Sequence, residues 1–247
     1  MNTFFTEVRQ TLVPRGDARH GPLPPLLVAM TLVTGLVDAF SYLVLGHVFV
    51  ANMTGNVVFL AFALAGAPGF SIPASLVALC SFVLGSLGGG RLGSRLGQHR
   101  GRLLSTASAM QTLLLTASAV IAALSANPLR ASFSYGLIVM LGIAMGLQNA
   151  TARKLAVPDL TTTVLTLTIV GVVADSHIAG GSGSRAGRRL IAVAAMLLGA
   201  LVGGVLILHV SIAVPLVIAL IVTASITVTT HLLSKRDPAW VHTSPGL

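Results

Sequence analysis

The sequence predicts an all-α fold, a polytopic transmembrane helical bundle, on three observations. Of the 247 residues, 54% are hydrophobic and only 9% are charged, whereas a soluble domain carries about 25% charged residues. The mean hydropathy is +0.91. Apolar runs of roughly 20 residues, the length that a helix needs to cross a bilayer, recur between Leu26 and Leu233.

Eight apolar segments follow one another along the chain, and each is helical by length and composition. They cover approximately 26–45, 48–67, 72–93, 103–125, 131–150, 160–175, 189–209 and 212–233. We therefore expect a single transmembrane domain, 26–233, between a cytoplasmic N-terminal segment, 1–25, and a cytoplasmic tail, 234–247. The N-terminal segment lacks a short apolar core with a cleavage site, so no cleaved signal peptide is expected.

The chain contains one polar pattern twice, each time in apolar surroundings. Gly35-Leu36-Val37-Asp38-Ala39 precedes Asn52-Met53-Thr54-Gly55-Asn56, and Gly146-Leu147-Gln148-Asn149-Ala150 precedes a threonine-rich run from Thr161. The offsets between matching positions are 111 (35 and 146), 109 (54 and 163) and 114 (85 and 199). We predict an internal duplication, with repeat one at about 26–125 and repeat two at about 131–233. The fourth and eighth segments correspond as apolar helices without a distinguishing motif.

The 15 Lys and Arg residues bear on how many segments cross the bilayer. If all eight cross, the basic residues divide 9 to 6 between the two sides. If one of the first two segments, and one of the fifth and sixth, enters and leaves on the same side, six crossings remain and the division is 14 to 1, with only Arg130 apart. The positive-inside rule favours the second division and places both termini in the cytoplasm. Six crossings are preferred, and eight remain the alternative.

Six crossings make the predicted duplication an inverted one. Each repeat then contributes three crossings, an odd number, so the second copy is inverted relative to the first. Inverted repeats with interrupted helices recur in transporters. Backbone that does not cross is tolerated at membrane depth only inside protein or beside a water-filled cavity.

Two long motifs give the chain a family resemblance. The run from Gly35 to Gly66, with Asp38-Ala39 and Phe49-Val50-Ala51-Asn52-Met53-Thr54-Gly55-Asn56, resembles the YoaK family, also called the DUF1275 membrane proteins. The run from Gly146 to Asp175, with Val157-Pro158-Asp159-Leu160, resembles it too. The resemblance implies a multi-pass protein of the bacterial cytoplasmic membrane, with six spans and no established activity, and it supplies no catalytic or binding residues.

Asp38 is the first candidate for a functional side chain. It lies about a dozen residues into the first apolar run, where a charged group is costly unless it is paired or solvated. One hypothesis is a cation or proton site, and the alternative is a structural carboxylate that bonds a neighbouring helix or unwound backbone. Its counterpart in the second copy is Asn149, a neutral residue of the same shape, so charge is present in one copy only.

The remaining candidates are the amides and hydroxyls that follow in each copy. Asn and Thr at a helix start cap free backbone N–H groups, and the same side chains could instead face a permeating polar molecule. Threonines also bond back to helix carbonyls. Both interpretations stay open for the candidates in this group, which are Asn52, Thr54, Asn56, Thr162 and Thr163.

Several other polar features are expected to be ordinary ones. We interpret the turn that contains Arg153, Lys154 and Asp159 as solvated, and a salt bridge or gate is the less favoured alternative. Gln148 and Asp175 lie near predicted span ends, where interfacial placement is expected. Small residues recur every four positions and predict close helix contacts; they are Ser81, Gly85, Gly89, Gly93, Gly97, Ala195, Gly199 and Gly203.

The charge pattern and the cysteine content exclude other functional classes. Basic residues lie in short clusters between apolar runs, which does not favour a nucleic-acid-binding face. Cys80 is the single cysteine, and no His/Cys spacing indicates a metal or another cofactor. The Gly180-Gly181-Ser182-Gly183 run with His177 is a weak match to a serine-nucleophile turn, since neighbours on a loose loop do not hold a base in reach. We predict no enzyme.

The sequence therefore predicts a transporter or channel for a small solute or ion. On that hypothesis its partners are the lipid bilayer and a small solute or proton. A polar cavity reaching Asp38, Asn52 and Thr163 near mid-depth is expected on that hypothesis. The alternative is a membrane scaffold or sensor that acts through helix contacts. That alternative predicts polar groups satisfied by one another and glycine rows exposed to lipid.

Overall fold

The computed structural model describes residues 2–13, 19–125, 129–163, 165–176, 179–181, 186–236 and 238–242. Within these residues lie nine α-helices and a short 3₁₀ turn at Ala239–Val241. The α-helices are α1 (Asn2–Leu12), α2 (Leu23–Val44), α3 (Met53–Leu64), α4 (Ile72–Leu96), α5 (Arg100–Leu124), α6 (Ala131–Leu155), α7 (Leu165–Ala174), α8 (Ala186–His209) and α9 (Val214–Ser234). The predicted all-helical class is confirmed.

Six of the helices are long and apolar enough to cross a bilayer, namely α2, α4, α5, α6, α8 and α9. Helices α3 and α7 have 12 and 10 residues. At 1.5 Å per residue they reach about 18 and 15 Å, short of the roughly 30 Å hydrocarbon core. The second and sixth apolar segments, predicted at 48–67 and 160–175, are therefore the two that do not cross.

The ends of the long helices follow familiar local rules. Helix α2 begins at Leu23, three residues before the predicted boundary, because Pro24 and Pro25 fit its first turn, where no N–H bond is lost. Ser71 accepts a hydrogen bond from the Ala74 N–H at the start of α4. Helix α6 ends at Ala156, whose φ of 49° is left-handed and stops the helix.

The buried apolar residues form two clusters at opposite ends of the bundle. One contains the C-terminal half of α2 with the N-terminal half of α6, and the other contains the opposite halves of the same two helices. Helix α5 runs from the second cluster to the first, and α9 runs back. Neighbouring spans in the chain therefore alternate in direction, and the described parts of both termini lie at the same end.

We call the end that holds Leu23, Arg100 and Leu155 the basic end, because most of the Lys and Arg residues lie there. The opposite end holds Val44, Arg130 and the start of α4. Helix α1 packs against α8 at the basic end. The 3₁₀ turn lies there too, since Trp240 and Val241 belong to the second cluster.

Close backbone approach joins the first half of the chain to the second. Helix α2 packs on α8, and α4 packs on α6. A Cβ added at Gly35 would lie 2.3 Å from the Met196 carbonyl oxygen, and one at Gly146 would lie 2.2 Å from that of Phe82. No side chain fits at either position, so glycine lets these helices touch through their backbones. The close contacts predicted from the small-residue rows are confirmed at Gly85 and Gly199, which lie against α6 and α2.

Candidate functional site

Two stretches of the chain interrupt the helical bundle. The first interrupted unit, residues 45–64, consists of an extended segment after α2 and then helix α3. The second interrupted unit, residues 156–174, consists of a loop after α6 and then helix α7. The first follows the end of α2 opposite the basic end, and the second follows α6 at the basic end. They therefore lie at opposite ends of the bundle.

Asp38 anchors the first interrupted unit. Its side chain is 3% exposed, and its Oδ1 accepts hydrogen bonds from the N–H groups of Val50 (3.1 Å) and Ala51 (3.0 Å). Its Oδ2 accepts a hydrogen bond from the side-chain amide of Asn52. The backbone N–H groups in this non-helical segment have no helical carbonyl to bond, and the carboxylate, which only accepts hydrogen bonds, supplies that acceptor. These contacts are those of the structural alternative, and they leave the cation or proton role a prediction.

Asn56 holds the same segment from helix α3. Its Oδ1 accepts from the Phe49 N–H at 2.8 Å, and its Nδ2 donates to the Phe49 carbonyl at 2.5 Å. Gly55 lies under the Phe49 ring, where an added Cβ would be 2.6 Å from the nearest ring carbon. A side chain at this position would therefore displace the Phe49 ring.

Of the two interpretations left open for this group, helix capping is not what the structure shows at Asn52, the residue before α3. The side chain of Asn52 makes no cap to α3, because it donates to Asp38 instead. Thr54 is exposed on the outside of the unit.

Aromatic rings close the outer side of the first unit. Tyr42 stacks on Phe49 at 5.1 Å between ring centroids, and Phe59 stacks on Phe70 at 5.3 Å. His47 lies beside Tyr42, with its Nδ1 3.0 Å from the Gly69 carbonyl oxygen. The unit is therefore held from the inside by a carboxylate and covered on the outside by rings.

Asn149 occupies the matching position in the second interrupted unit. Its Oδ1 accepts a hydrogen bond from the Thr163 hydroxyl, and its Nδ2 donates to the Met145 carbonyl at 2.9 Å. Asp38 and Asn52 are 14 residues apart, as are Asn149 and Thr163. These contacts align Thr163 with Asn52 at offset 111, rather than with Thr54.

Thr162 lies beside that contact but does not share it. Its φ is 64°, its side chain is 3% exposed, and its Oγ1 has no hydrogen-bond partner among the described residues. Ala156 and Asp159 in the same loop also have positive φ. For non-glycine residues such angles are strained and persist only where surrounding contacts hold them.

An arginine bridge holds the second unit from outside. Arg189, in the first turn of α8, donates from Nε to Asp159 at 2.8 Å and from Nη1 to Asp175 at 2.7 Å. Asp159 precedes α7 and Asp175 follows it, so one guanidinium ties both ends of that helix to α8. This is the salt bridge that the sequence left as the lesser possibility at Asp159, although its partner is Arg189 rather than Arg153 or Lys154.

The seven predicted candidates do not converge on one site. Asp38 lies six residues before the end of α2, and Asn149 lies six residues before the end of α6. Each is therefore about 9 Å inside its own end of the bundle. The expected single site with Asp38, Asn52 and Thr163 together is replaced by two sites at different depths.

Gln148 is buried in the core, and its expected interfacial placement is wrong. It is 1% exposed, and its Nε2 donates to Thr34 Oγ1 at 2.8 Å and to the Met30 carbonyl at 3.3 Å. Its Oε1 accepts from Gln111 Nε2 at 2.7 Å. The fourth segment, which contains Gln111, is thus not featureless. A lone glutamine inside an oily run was the signal, because buried amides in a membrane need partners.

The proposed serine turn cannot be placed in the structure. His177, Ser182 and Gly183 lie outside the described residues. Among the described residues, no group of three His, Cys, Asp or Glu side chains is positioned to hold a metal.

The comparisons with known proteins agree with the fold. Residues 26–229 match the family described as "Protein of unknown function (DUF1275)". A UPF0700 transmembrane protein YoaK of Bacillus subtilis (strain 168) is 32% identical over 151 residues, which cover 61% of this chain and 65% of that relative. The aligned part thus spans a little under two thirds of the length of that relative. No solved structure matches. With six membrane-spanning helices and a family match over most of its length, this chain is an integral membrane protein that belongs to the DUF1275 family.

Proposed function

We propose that this protein passes a small solute or ion across the bacterial cytoplasmic membrane. The observation that carries the proposal is the pair of interrupted units at opposite ends of one bundle, each anchored to the preceding span through residues 14 positions apart. Irregular backbone at membrane depth is costly, and it recurs where a transporter must open from either side.

The orientation in the membrane follows from charge. The basic end carries the Lys and Arg residues of the described chain except Arg130. The positive-inside bias then places the basic end, the second interrupted unit and both termini on the cytoplasmic side. The first interrupted unit faces the outside.

On this proposal the solute crosses the membrane through two openings, one at each end of the bundle, that open in turn. The first unit closes the outer end through Asp38, and the second closes the inner end through Asn149 and Arg189. Releasing one set of contacts while the other remains would expose the core to one side at a time. Each opening must also part the loop of its unit from an apolar cluster, since Val48 and Val50 belong to the first cluster and Val157 and Leu160 to the second.

The competing function, a scaffold or sensor, is favoured by one observation and opposed by another. The polar groups of the first unit satisfy one another, as a closed core requires. However, Gly85 and Gly199 are packed inside the molecule rather than offered to lipid, so they present no surface for a second membrane helix.

An uptake panel in proteoliposomes tests the proposal. Water, urea, glycerol, Na⁺, K⁺ and H⁺ are each measured against protein-free liposomes, with Asp38→Asn alongside. We expect at least one probe to pass faster through the wild-type protein. If every probe passes at the protein-free rate, passage of these ions and small neutral solutes is refuted and the scaffold function is favoured. If proton flux is unchanged in a folded Asp38→Asn variant, a proton role for Asp38 is refuted.

A further inference from the structure

A layer of uncharged polar side chains separates the two apolar clusters of the bundle. On α2, α5, α6 and α9 the residues of one cluster give way to those of the other, and hydroxyls and amides fill the gap. Each of these side chains is at most 1% exposed. We call the set the polar layer; its members are Thr31, Thr34, Ser108, Gln111, Gln148, Thr151 and Thr223.

The orientation of the two amides in the layer is fixed by a backbone carbonyl. The Met30 carbonyl can only accept, so the atom of Gln148 that faces it is the donor Nε2. Gln148 Oε1 must then face Gln111, which accordingly presents its own Nε2 at 2.7 Å. This leaves Gln111 Oε1 pointing away from the chain of hydrogen bonds.

Two polar atoms of the layer have no hydrogen-bond partner among the described residues. One is Gln111 Oε1, and the other is Oγ1 of Thr151, one turn along α6 from Gln148. Leaving a buried polar atom unpaired is costly, and most such atoms in proteins do find a protein or water partner. Buried hydroxyls outside the layer, on Ser75, Thr162 and Thr230, are unpaired within the described part of the chain too. The two oxygens of the layer differ from these in their place, because Gln111 is bonded to Gln148 and Thr151 lies one turn from it, and both oxygens can accept a hydrogen bond from a ligand.

The layer carries no charge that would bind an ion. Its seven side chains are all neutral, and along α2 the nearest ionisable residue is Asp38, one turn beyond Thr34. The carboxylate of Asp38 is already bonded to Val50, Ala51 and Asn52. An ion at membrane depth without a counter-charge is expensive, whereas a neutral molecule with N–H or O–H groups matches two free oxygens.

We propose that the polar layer binds a small uncharged molecule rich in hydrogen-bonding groups, such as water or a polyol- or amide-like solute. This inference rests on the proposed transport function and narrows its solute to the uncharged class. It also places the binding position at mid-depth between the two interrupted units, rather than at Asp38.

Thiol accessibility tests the binding position without relying on transport. Cys80 is the single cysteine, so Cys80→Ser gives a clean background. Gln111→Cys is compared with Leu115→Cys, which is one turn away on the same helix, fully buried, and inside an apolar cluster. The probe is methyl methanethiosulfonate, a small neutral electrophile. The cysteine thiolate, which forms in contact with water, attacks its sulfenyl sulfur, so that a methyl disulfide forms and methanesulfinate leaves.

We expect the thiol at position 111 to react at least tenfold faster than the one at 115, in folded protein of unchanged elution volume. Equal and slow labelling would mean a dry layer and would overturn the inference. If molar glycerol or urea slows labelling at 111, the ligand is that solute; fast labelling without protection identifies water. A Thr151→Cys variant repeats the test if Gln111→Cys does not fold.

A matched pair of variants connects the layer to passage. Thr151→Val removes an unpaired hydroxyl inside the layer, and Thr230→Val removes an equally buried, unpaired hydroxyl on α9 outside it. Loss of one hydrogen bond to the solute should reduce urea, glycerol or water flux about fivefold in Thr151→Val. Thr230→Val should keep the wild-type rate.

The outcomes separate this inference from the transport proposal. If the wild-type protein carries ions but no neutral probe, transport stands and the uncharged solute class is refuted. If no probe passes, but the thiol at 111 reacts quickly and glycerol or urea slows that reaction, the layer binds that solute and the transport proposal is refuted. If Thr151→Val and Thr230→Val lower flux equally, the layer has no special role in passage.

Discussion

In both interrupted units the two anchoring residues are 14 positions apart along the chain, but the charged group that stabilises the unit lies inside the bundle in the first and at its periphery in the second. In the first, a buried carboxylate, Asp38, collects three N–H donors. In the second, Asn149 makes one contact with Thr163, and the charge sits at the periphery in the bridge from Arg189 to Asp159 and Asp175. A break in a membrane helix can therefore be held by an internal charge or by an external one.

This difference has consequences for which end opens more easily. Removing buried hydrogen bonds to a charge costs more than releasing a partly exposed ion pair. The second unit also contains three non-glycine residues with positive φ, at Ala156, Asp159 and Thr162, whereas in the first unit only His47 has one. Relief of that strain favours opening, so we expect the second unit, at the basic end, to open first.

The largest expected effect comes from Asp38→Ala. The change leaves three N–H donors without a partner at membrane depth, which should lower the free energy of unfolding by about 3–5 kcal/mol. Unfolding of the purified protein in mixed detergent micelles measures the loss. The matched change Asn149→Ala removes one side-chain contact to Thr163 and should cost about 1 kcal/mol.

Equal losses in Asp38→Ala and Asn149→Ala would contradict the comparison, since the two anchors would then be equivalent. Asp38→Asn should lie between them. Its oxygen can still accept from Val50 and Ala51, but its amide then meets the donating amide of Asn52.

A smaller loss is expected when the charge of the first unit is copied into the second. In Asn149→Asp the new carboxylate still accepts from Thr163, but it faces the Met145 carbonyl, to which Asn149 now donates. Two acceptors in contact should cost about 1–3 kcal/mol. The same micelle unfolding assay applies, and a stabilised Asn149→Asp would show that the second unit lacks only a charge.

Removing the arginine bridge should have a moderate effect. Arg189→Met frees both ends of α7, and we expect a loss of about 1–2 kcal/mol, since the bridge is charge-assisted but partly exposed. That loss corresponds to a fall of roughly 2–8 °C in Tm for a chain of this size. The control is Arg188→Met, whose side chain makes a longer, 3.4 Å contact with Thr11.

Within the bridge, the two acids should also differ. Asp159 is 15% exposed and Asp175 is 53% exposed, so Asp159→Asn should cost more than Asp175→Asn. The reverse order of Tm values would place the important contact after α7 rather than before it.

How much of this could be read from the sequence depends on whether a feature is local. The spans follow from length and hydropathy, and the charge count indicates that one segment of each pair does not cross, because both are properties of contiguous residues. Which segment of each pair it is follows from the short lengths of α3 and α7 in the structure. The bounds of the first unit did not follow from the sequence, since 48–67 was predicted as one apolar helical segment whereas α3 begins only at Met53. Pairing between helices is not local, so the sequence could not show that Gly35 meets Met196 or that Arg189 meets Asp159.

In the candidate site, too, the features that are local in sequence could be predicted and those that depend on helix pairing could not. Asp38 and Asn149 were identified because polar residues inside apolar runs are conspicuous, and their contacts 14 residues away lie within the same motif. The polar layer was missed because its members come one or two at a time from four helices. Gln111 and Gln148 become one feature only when α5 and α6 are packed together.

The smallest effect is expected from salt, and it distinguishes the units without any substitution. Raising ionic strength from 0.1 to 1 M shortens the screening length from about 10 to 3 Å, which weakens exposed ion pairs more than buried hydrogen bonds. Amide hydrogen exchange in residues 156–163 should therefore accelerate about twofold to fivefold, matching the modest strength of a partly exposed bridge. Exchange in residues 45–52 should not change, because the Asp38 contacts are buried. Acceleration in both segments would mean that the two units open together, and acceleration in neither would mean that the Arg189 bridge does not control the second.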